Sequence, residues 1–70
     1  MIDFKLKDDF IELNKLLKYL QLCESGAVAN MCISDGMVKL NNTVDTRKRA
    51  KLRDGDVVEF EDTVIKITKD

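Results

Sequence analysis

The sequence contains no histidine, no proline and no tryptophan, and its only two cysteines are Cys23 and Cys32. The spacing of these cysteines does not match that of metal ligands, and with no histidine available we predict no zinc or other metal site. A catalytic nucleophile and its base would have to come from Ser, Cys, Lys and acidic residues, in a 70-residue chain that is too short for a deep substrate cavity. We therefore predict a protein that is not an enzyme and needs no cofactor.

Long uncharged runs are also missing, because charged residues interrupt every apolar stretch. Neither a membrane-spanning segment nor a signal-peptide pattern is therefore expected. Two cysteines without an export signal are typical of the reducing cytoplasm, where both thiols would serve as small core residues. With 44% hydrophobic residues, the chain is expected to fold as one small cytoplasmic domain over residues 1–70.

The net charge of −1 argues by itself against a nucleic-acid binder, but the charges are unevenly distributed. Residues 39–53 contain six basic residues against one acidic residue, whereas residues 1–38 contain four against six and residues 54–70 contain two against six. Because the Debye length in cells is only about 8 Å, a partner senses the local charge more than the total. A solvated loop between strands is the alternative interpretation of the basic segment.

Hydrophobic periodicity predicts the first two elements. Apolar and polar residues alternate from Ile2 to Leu6, which is typical of a half-buried strand, and we expect this strand to pair with the last one, residues 64–68. The period then becomes helical, and Glu12 and Asn14 suit a helix N-terminus. One face of this helix, which should end by Leu22, carries Leu13, Leu16, Leu17 and Leu20.

A second helix is predicted to begin after about two connecting residues. Ser25 is a suitable N-cap, and Gly36 should end the helix in the left-handed conformation. A strand over residues 38–40 follows, and Asn41 and Asn42 suit a two-residue hairpin turn before a return strand over residues 43–46. After the basic residues, a turn at 54–56 leads into strands at 57–60 and 63–68.

This order of motifs resembles a known family. The run from Val44 to Asp56, which combines basic residues, acidic residues and a turn glycine, follows two short helices and a hairpin. It is similar to the RNA-binding domain named after the fourth protein of the small ribosomal subunit, and in particular to its small stand-alone bacterial members described as YaaA-like or YbcJ-like. The resemblance covers about residues 10–60. It implies an α+β fold with the αL motif, in which two short helices pack on a small, mostly antiparallel sheet of four to five strands.

The resemblance also implies a function and a set of contact residues. Members of the family bind structured RNA, often ribosomal or transfer RNA, through the helices and the hairpin. Matched by position, the RNA-binding residues are Lys18, Lys39, Arg47, Lys48, Arg49, Lys51 and Arg53. Asn41 matches a structural asparagine before the turn. Recognition by stacked bases is not expected, because Phe4, Phe10 and Phe60 read as core residues and Tyr19 is the only polar aromatic.

The second helix departs from the family pattern. It presents Val28 and Met31 where an RNA-facing helix of the family presents positive charge, and Asn42 stands where the family has glycine. An apolar patch of this kind can mark a protein partner or a contact between two copies. The alternative function is therefore a protein-interaction or self-associating module of the same fold, with weak or no RNA affinity.

Overall fold

The computed structural model describes residues 1–69, which form two helices and seven strands. The elements in chain order are β1 (Ile2–Leu6), β2 (Ile11–Glu12), α1 (Leu13–Tyr19), α2 (Gly26–Ser34), β3 (Val38–Leu40), β4 (Thr43–Val44), β5 (Lys51–Leu52), β6 (Val57–Phe60) and β7 (Thr63–Lys69). The predicted α+β fold is confirmed, with two helices packed on a sheet of five strands.

The five-stranded sheet has the order β1-β7-β6-β3-β4. All of its neighbouring strands are antiparallel except β1 and β7, which run parallel with Ile2 opposite Ile65 and Phe4 opposite Ile67. The predicted pairing of the first strand with the last is confirmed. A separate two-stranded sheet, which was not predicted, joins β2 to β5.

The core lies between one face of the sheet and the two helices. The leucine periodicity of α1 is confirmed at its first three positions, which are fully buried, whereas Leu20 is only partly buried. Alternation along the strands places every second residue on the helix side of the sheet and the others on the outer side. The fully buried side chains of both layers include Leu13, Leu16, Leu17, Ala29, Ile33, Val38, Val58, Ile65 and Ile67.

The connection between the helices is longer than predicted. Six residues, 20–25, separate Tyr19 from Gly26 instead of about two. Gln21 adopts the left-handed conformation with φ 61°, and the backbone then folds back on the end of α1. The N–H groups of Leu22 and Cys23 both donate to the carbonyl of Leu17, at 3.0 and 3.2 Å, and so satisfy a helix-end acceptor.

The two ends of the second helix and the hairpin turn have the predicted conformations. The hydroxyl of Ser25 accepts from the N–H of Val28 at 3.2 Å, and Gly36 has φ 77°. Asn41 and Asn42 both have positive φ, 51° and 71°. The return strand, however, ends at residue 44 and not at 46, because the chain turns at Asp45.

Candidate nucleic-acid interface

The basic segment after the hairpin is fixed to the beginning of α1 by main-chain bonds. We call residues 45–53 the basic loop. The first N–H groups of a helix have no partner within the helix. Here the N–H of Leu13 donates to the carbonyl of Ala50 at 2.9 Å, and that of Asn14 to the carbonyl of Lys48 at 3.1 Å. Glu12 occupies the N-cap position without a side-chain cap bond, so the loop itself satisfies the end of the helix.

Buried residues alternate with the basic side chains and hold the loop against the core. Ala50 is buried, and Leu52 is fully buried where β5 pairs with β2. Side chains on either side of a buried strand residue must point outward. Lys51 and Arg53, which precede and follow Leu52 in the chain, therefore project from the surface. Their backbone is held in place by the burial of Leu52.

Arg47 differs from the other cations of the loop because it is paired with Asp45. Its Nη2 lies 2.7 Å from Oδ2 of Asp45, its Nε 3.0 Å from Oδ1, and its backbone N–H also donates to Oδ1 at 2.9 Å. These bonds lower the pKa of Asp45 and raise the pKa of Arg47. The pair neutralises one positive charge and shapes the turn after β4. The exposed cations that remain on the loop are Lys48, Arg49, Lys51 and Arg53.

Phe10 does not lie in the core, contrary to the prediction. It is 37% exposed, and two cations of the loop lie over its ring. Nζ of Lys51 lies 4.9 Å from the ring centroid, and Cζ of Arg53 lies 5.5 Å from it. The negative face of an aromatic ring attracts cations at such distances. Sequence reasoning missed this arrangement because Phe10 is brought to β5 by the pairing of two-residue strands.

The two remaining predicted RNA-binding residues lie outside the loop. Lys39 is exposed at the middle of β3, on the outer face of the sheet, where its neighbours across the strands are Val44 and Glu59. Lys18 is exposed in the last turn of α1, about 6 Å along the helix axis from Asn14. The structure thus places five of the seven predicted cations on the basic loop, one of them paired with Asp45, and the other two on other surfaces.

Asn41 has the structural role that was predicted for it. Its side-chain oxygen accepts from the N–H of Val57 at 2.9 Å, and its side-chain nitrogen donates to Oδ1 of Asp56 at 3.1 Å. The other oxygen of Asp56 accepts from the N–H of Arg53 at 2.8 Å. The end of the basic loop is therefore tied to the turn of the hairpin.

The second helix contributes no positive charge to this surface. The side-chain oxygen of Asn30 accepts a bond from the side-chain nitrogen of Asn14 at 3.0 Å and so joins the two helices. Val28 and Met31 are 37% and 64% exposed, and Met37 and Val44 are exposed as well. The exposed side chains of α2 are thus uncharged, and two of them, Val28 and Met31, are large and apolar.

Within residues 1–69, no group of three or more His, Cys, Asp or Glu side chains could hold a metal ion. In the same part of the chain, neither helix has the length or the apolar character needed to cross a membrane.

Two short helices packed on a small sheet, with a hairpin and a basic loop after them, define the αL class of α+β domain. The chain belongs to the S4 domain family, which matches residues 4–68. Both the predicted fold class and the family resemblance are confirmed.

The chain is similar to the protein YbcJ of Escherichia coli (strain K12), with 44% identity over 61 residues that cover 86% of this chain and 87% of YbcJ. A YbcJ protein from Shigella flexneri shows the same identity and coverage. The solution structure of E. coli YbcJ matches with a TM-score of 0.73 and 39% identity, over 97% of this chain and 87% of that one. That structure is described as revealing an αL motif involved in RNA binding.

Proposed function

We propose that this protein binds structured RNA, of the ribosomal or transfer RNA type, through the basic loop and without catalysing a reaction. The observation that carries the proposal is the set of four exposed cations on a loop whose backbone is bonded to α1 and whose apolar residues are buried. The description of the E. coli YbcJ structure as an RNA-binding αL motif supports it.

The mechanism is electrostatic docking on a rigid surface. Arg49 and Arg53 supply planar, forked donors that suit phosphate oxygens, and Lys48 and Lys51 add point charges. Because the loop is already ordered, little conformational entropy is lost when it meets the RNA. A-form RNA hides its base edges in a deep groove, so a module of this size reads the shape and the backbone of the helix.

Lys18 and Lys39 add secondary contacts in this proposal. Each is exposed, but neither belongs to the loop. Lys39, on β3, lies opposite the acidic Glu59 of β6. Neutralisation of about four phosphates by the loop gives a slope of roughly −3 to −3.5 in log affinity against log salt concentration. A larger slope would indicate that Lys18 or Lys39 also contacts phosphate.

The test is a titration of the folded protein against fluorescent fragments of ribosomal and transfer RNA at two or more salt concentrations. Lys48→Glu is compared with Lys66→Glu, which reverses the same charge at an exposed position on β7. Lys48 is bonded to α1 through its backbone carbonyl and not through its side chain, so the substitution preserves that bond. We expect Lys48→Glu to weaken binding and Lys66→Glu to leave it nearly unchanged.

A double reversal, Lys48→Glu with Arg49→Glu, should abolish measurable binding. Failure of the folded wild-type protein to bind any of these RNAs at low salt would contradict the proposed function. Equal losses in Lys48→Glu and Lys66→Glu would show that total charge, and not the basic loop, determines binding.

A second candidate function is a protein-interaction or self-associating module, which the exposure of Val28 and Met31 favours. Val44 of β4 packs against Gly36, just after α2: a Cβ atom added to Gly36 would lie 3.6 Å from Cγ1 of Val44. Val44 therefore extends the apolar surface beyond the end of α2. Sedimentation of wild type and Met31→Glu at two salt concentrations tests it. A dimer that persists at high salt and dissociates in Met31→Glu would support this function, whereas a monomer in both would exclude self-association.

A further inference from the structure

A cleft of about 200 Å³ lies between β1, the segment that leads into β2, and the end of α1. Its apolar walls, three of them aromatic, are formed by Phe4, Leu6, Phe10, Ile11 and Tyr19, and the lining also includes Lys5, Lys7 and Asp8. The rings of Phe4 and Tyr19 meet edge to face, with centroids 5.5 Å apart and planes at 84°. Tyr19 is nevertheless 66% exposed, so most of its ring is available to a ligand.

Phe10 connects this cleft to the basic loop. Its ring forms part of the cleft wall. Nζ of Lys51 and Cζ of Arg53 lie over the same ring, 4.9 and 5.5 Å from its centroid. Two cations beside an aromatic wall form an attractive site for a phosphate next to a flat apolar group. Lys7 and Asp8, which also line the cleft, are both exposed.

We propose that the cleft receives one unstacked nucleobase of the bound RNA while Lys51 and Arg53 hold the adjoining phosphate. This inference rests on the proposed function, which it extends from backbone docking to recognition of an unpaired nucleotide. Single bases stack on aromatic side chains in many proteins that bind unpaired strands. In RNA, loops and bulges supply such bases, because those inside a helix are already stacked.

The size and chemistry of the cleft favour a base over other ligands. Its volume lies below the range of about 300 Å³ and more that is typical of pockets for larger small molecules, so a single flat ring system is the appropriate size. The positive charge of Lys51 and Arg53 is complementary to the phosphate that a nucleotide brings with its base. The carboxylate of Asp8 can accept a hydrogen bond from an exocyclic amino group, as acidic side chains do from cytosine.

The experiment uses the full chain and two RNA hairpins of equal length. One carries a single unpaired 2-aminopurine in its stem, and the other carries the same base opposite its pairing partner. Affinity is measured by titration, and insertion is measured by the fluorescence of 2-aminopurine, which stacking quenches. We expect the unpaired RNA to bind at least about fivefold more tightly, with quenching on binding.

Two variants remove the aromatic walls, and one serves as their control. Phe10→Leu keeps an apolar side chain but loses the ring, and Tyr19→Leu does the same at a residue that is 66% exposed. Tyr19→Phe keeps the ring and is the control. We expect both leucine variants to bind the two hairpins equally and without quenching, whereas Tyr19→Phe behaves as wild type.

The outcomes separate this inference from the proposed function. Wild-type protein that binds both hairpins equally, or leucine variants that retain the full preference and the quenching, would overturn the base site and leave the RNA-binding function intact. If Phe10→Leu failed to fold, Tyr19→Leu would decide the matter. Wild-type protein that binds neither hairpin would contradict the proposed function itself.

Discussion

The side chains of Asn41 and Asp56 join the hairpin turn to the end of the basic loop. The nitrogen of Asn41 donates to Oδ1 of Asp56 at 3.1 Å, while Oδ2 of the same carboxylate accepts from the backbone N–H of Arg53 at 2.8 Å. One carboxylate therefore orients two segments that are 12 residues apart in the chain, from Asn41 to Arg53. Its contribution to the rigidity of the candidate RNA surface can be measured.

We expect Asp56→Ala to lower the free energy of unfolding by about 1 kcal/mol, since it removes the shared acceptor of two hydrogen bonds. RNA affinity should also fall, because Arg53 loses its fixed position. Urea denaturation and RNA titration measure the two effects. Asp54→Ala is the control, since this exposed carboxylate makes no side-chain hydrogen bond within residues 1–69. Equal effects of both variants would contradict the bridging role.

Arg47 and Arg49 should respond differently to alanine substitution, although they lie two residues apart. Arg49→Ala removes an exposed cation and should weaken RNA binding, with a change in stability within about 0.5 kcal/mol. Arg47→Ala breaks the pair with Asp45 and should loosen the turn after β4. Amide hydrogen exchange across residues 45–50 distinguishes the two, and faster exchange only in Arg47→Ala is the expected result. The same exchange in both would show that the pair does not order the loop.

The Asp45–Arg47 pair should make stability depend on pH in the acid range. The bonds from Arg47 lower the pKa of Asp45 from its ordinary 3.8, so the folded state binds this proton less readily than the unfolded state does. The stabilisation is complete above the ordinary value and is lost as the pH falls through the lowered one. The stability difference between wild type and Asp45→Asn should therefore be constant from about pH 5 upward and shrink towards about pH 2. A difference that grew in acid would contradict this sign.

The thiol of Cys23 should react slowly with alkylating reagents while the protein is folded. Burial, and secondarily the neighbouring Cys32, raises the pKa of Cys23 to about 11. Only the thiolate is nucleophilic, so at pH 8 the reactive fraction is about one in a thousand. We expect the Cys32→Ser protein to resist iodoacetamide at pH 8 and to react quickly in urea. The Cys23→Ser protein, which keeps the half-buried Cys32, controls for access of the reagent, and rapid alkylation of native Cys23 would contradict its burial.

Local signals in the sequence were sufficient where a few neighbouring residues determine the conformation. The alternation from Ile2 to Leu6 predicted β1, Ser25 predicted the cap of α2, and Asn41 with Asn42 predicted the hairpin turn. In each case the preference is a property of the backbone or of side chains within four residues. The connection of residues 20–25 was predicted too short, because the left-handed turn at Gln21 has no strong residue signal.

Contacts between distant segments were not predictable in the same way. Strands β2 and β5 have two residues each, too few for a periodic pattern, and they lie about 40 residues apart in the chain. Their pairing brings Phe10 beneath Lys51 and Arg53, and so converts a residue that reads as core into an exposed aromatic surface. The pairing of Arg47 with Asp45 was also missed, since the spacing of two charges does not show whether their side chains meet.

The sequence by itself determined most of the helices, strands and turns and the concentration of positive charge in residues 39–53, because periodicity, caps and composition are local properties. The class of fold followed from the family resemblance. Only the tertiary structure decided which cations are exposed together on the basic loop, that Arg47 is neutralised by Asp45, and that Lys18 and Lys39 lie on other faces. It also decided that an aromatic cleft adjoins the basic loop. The physical reason is that exposure and charge pairing depend on which distant segments pack together, and burial of the whole core selects that packing.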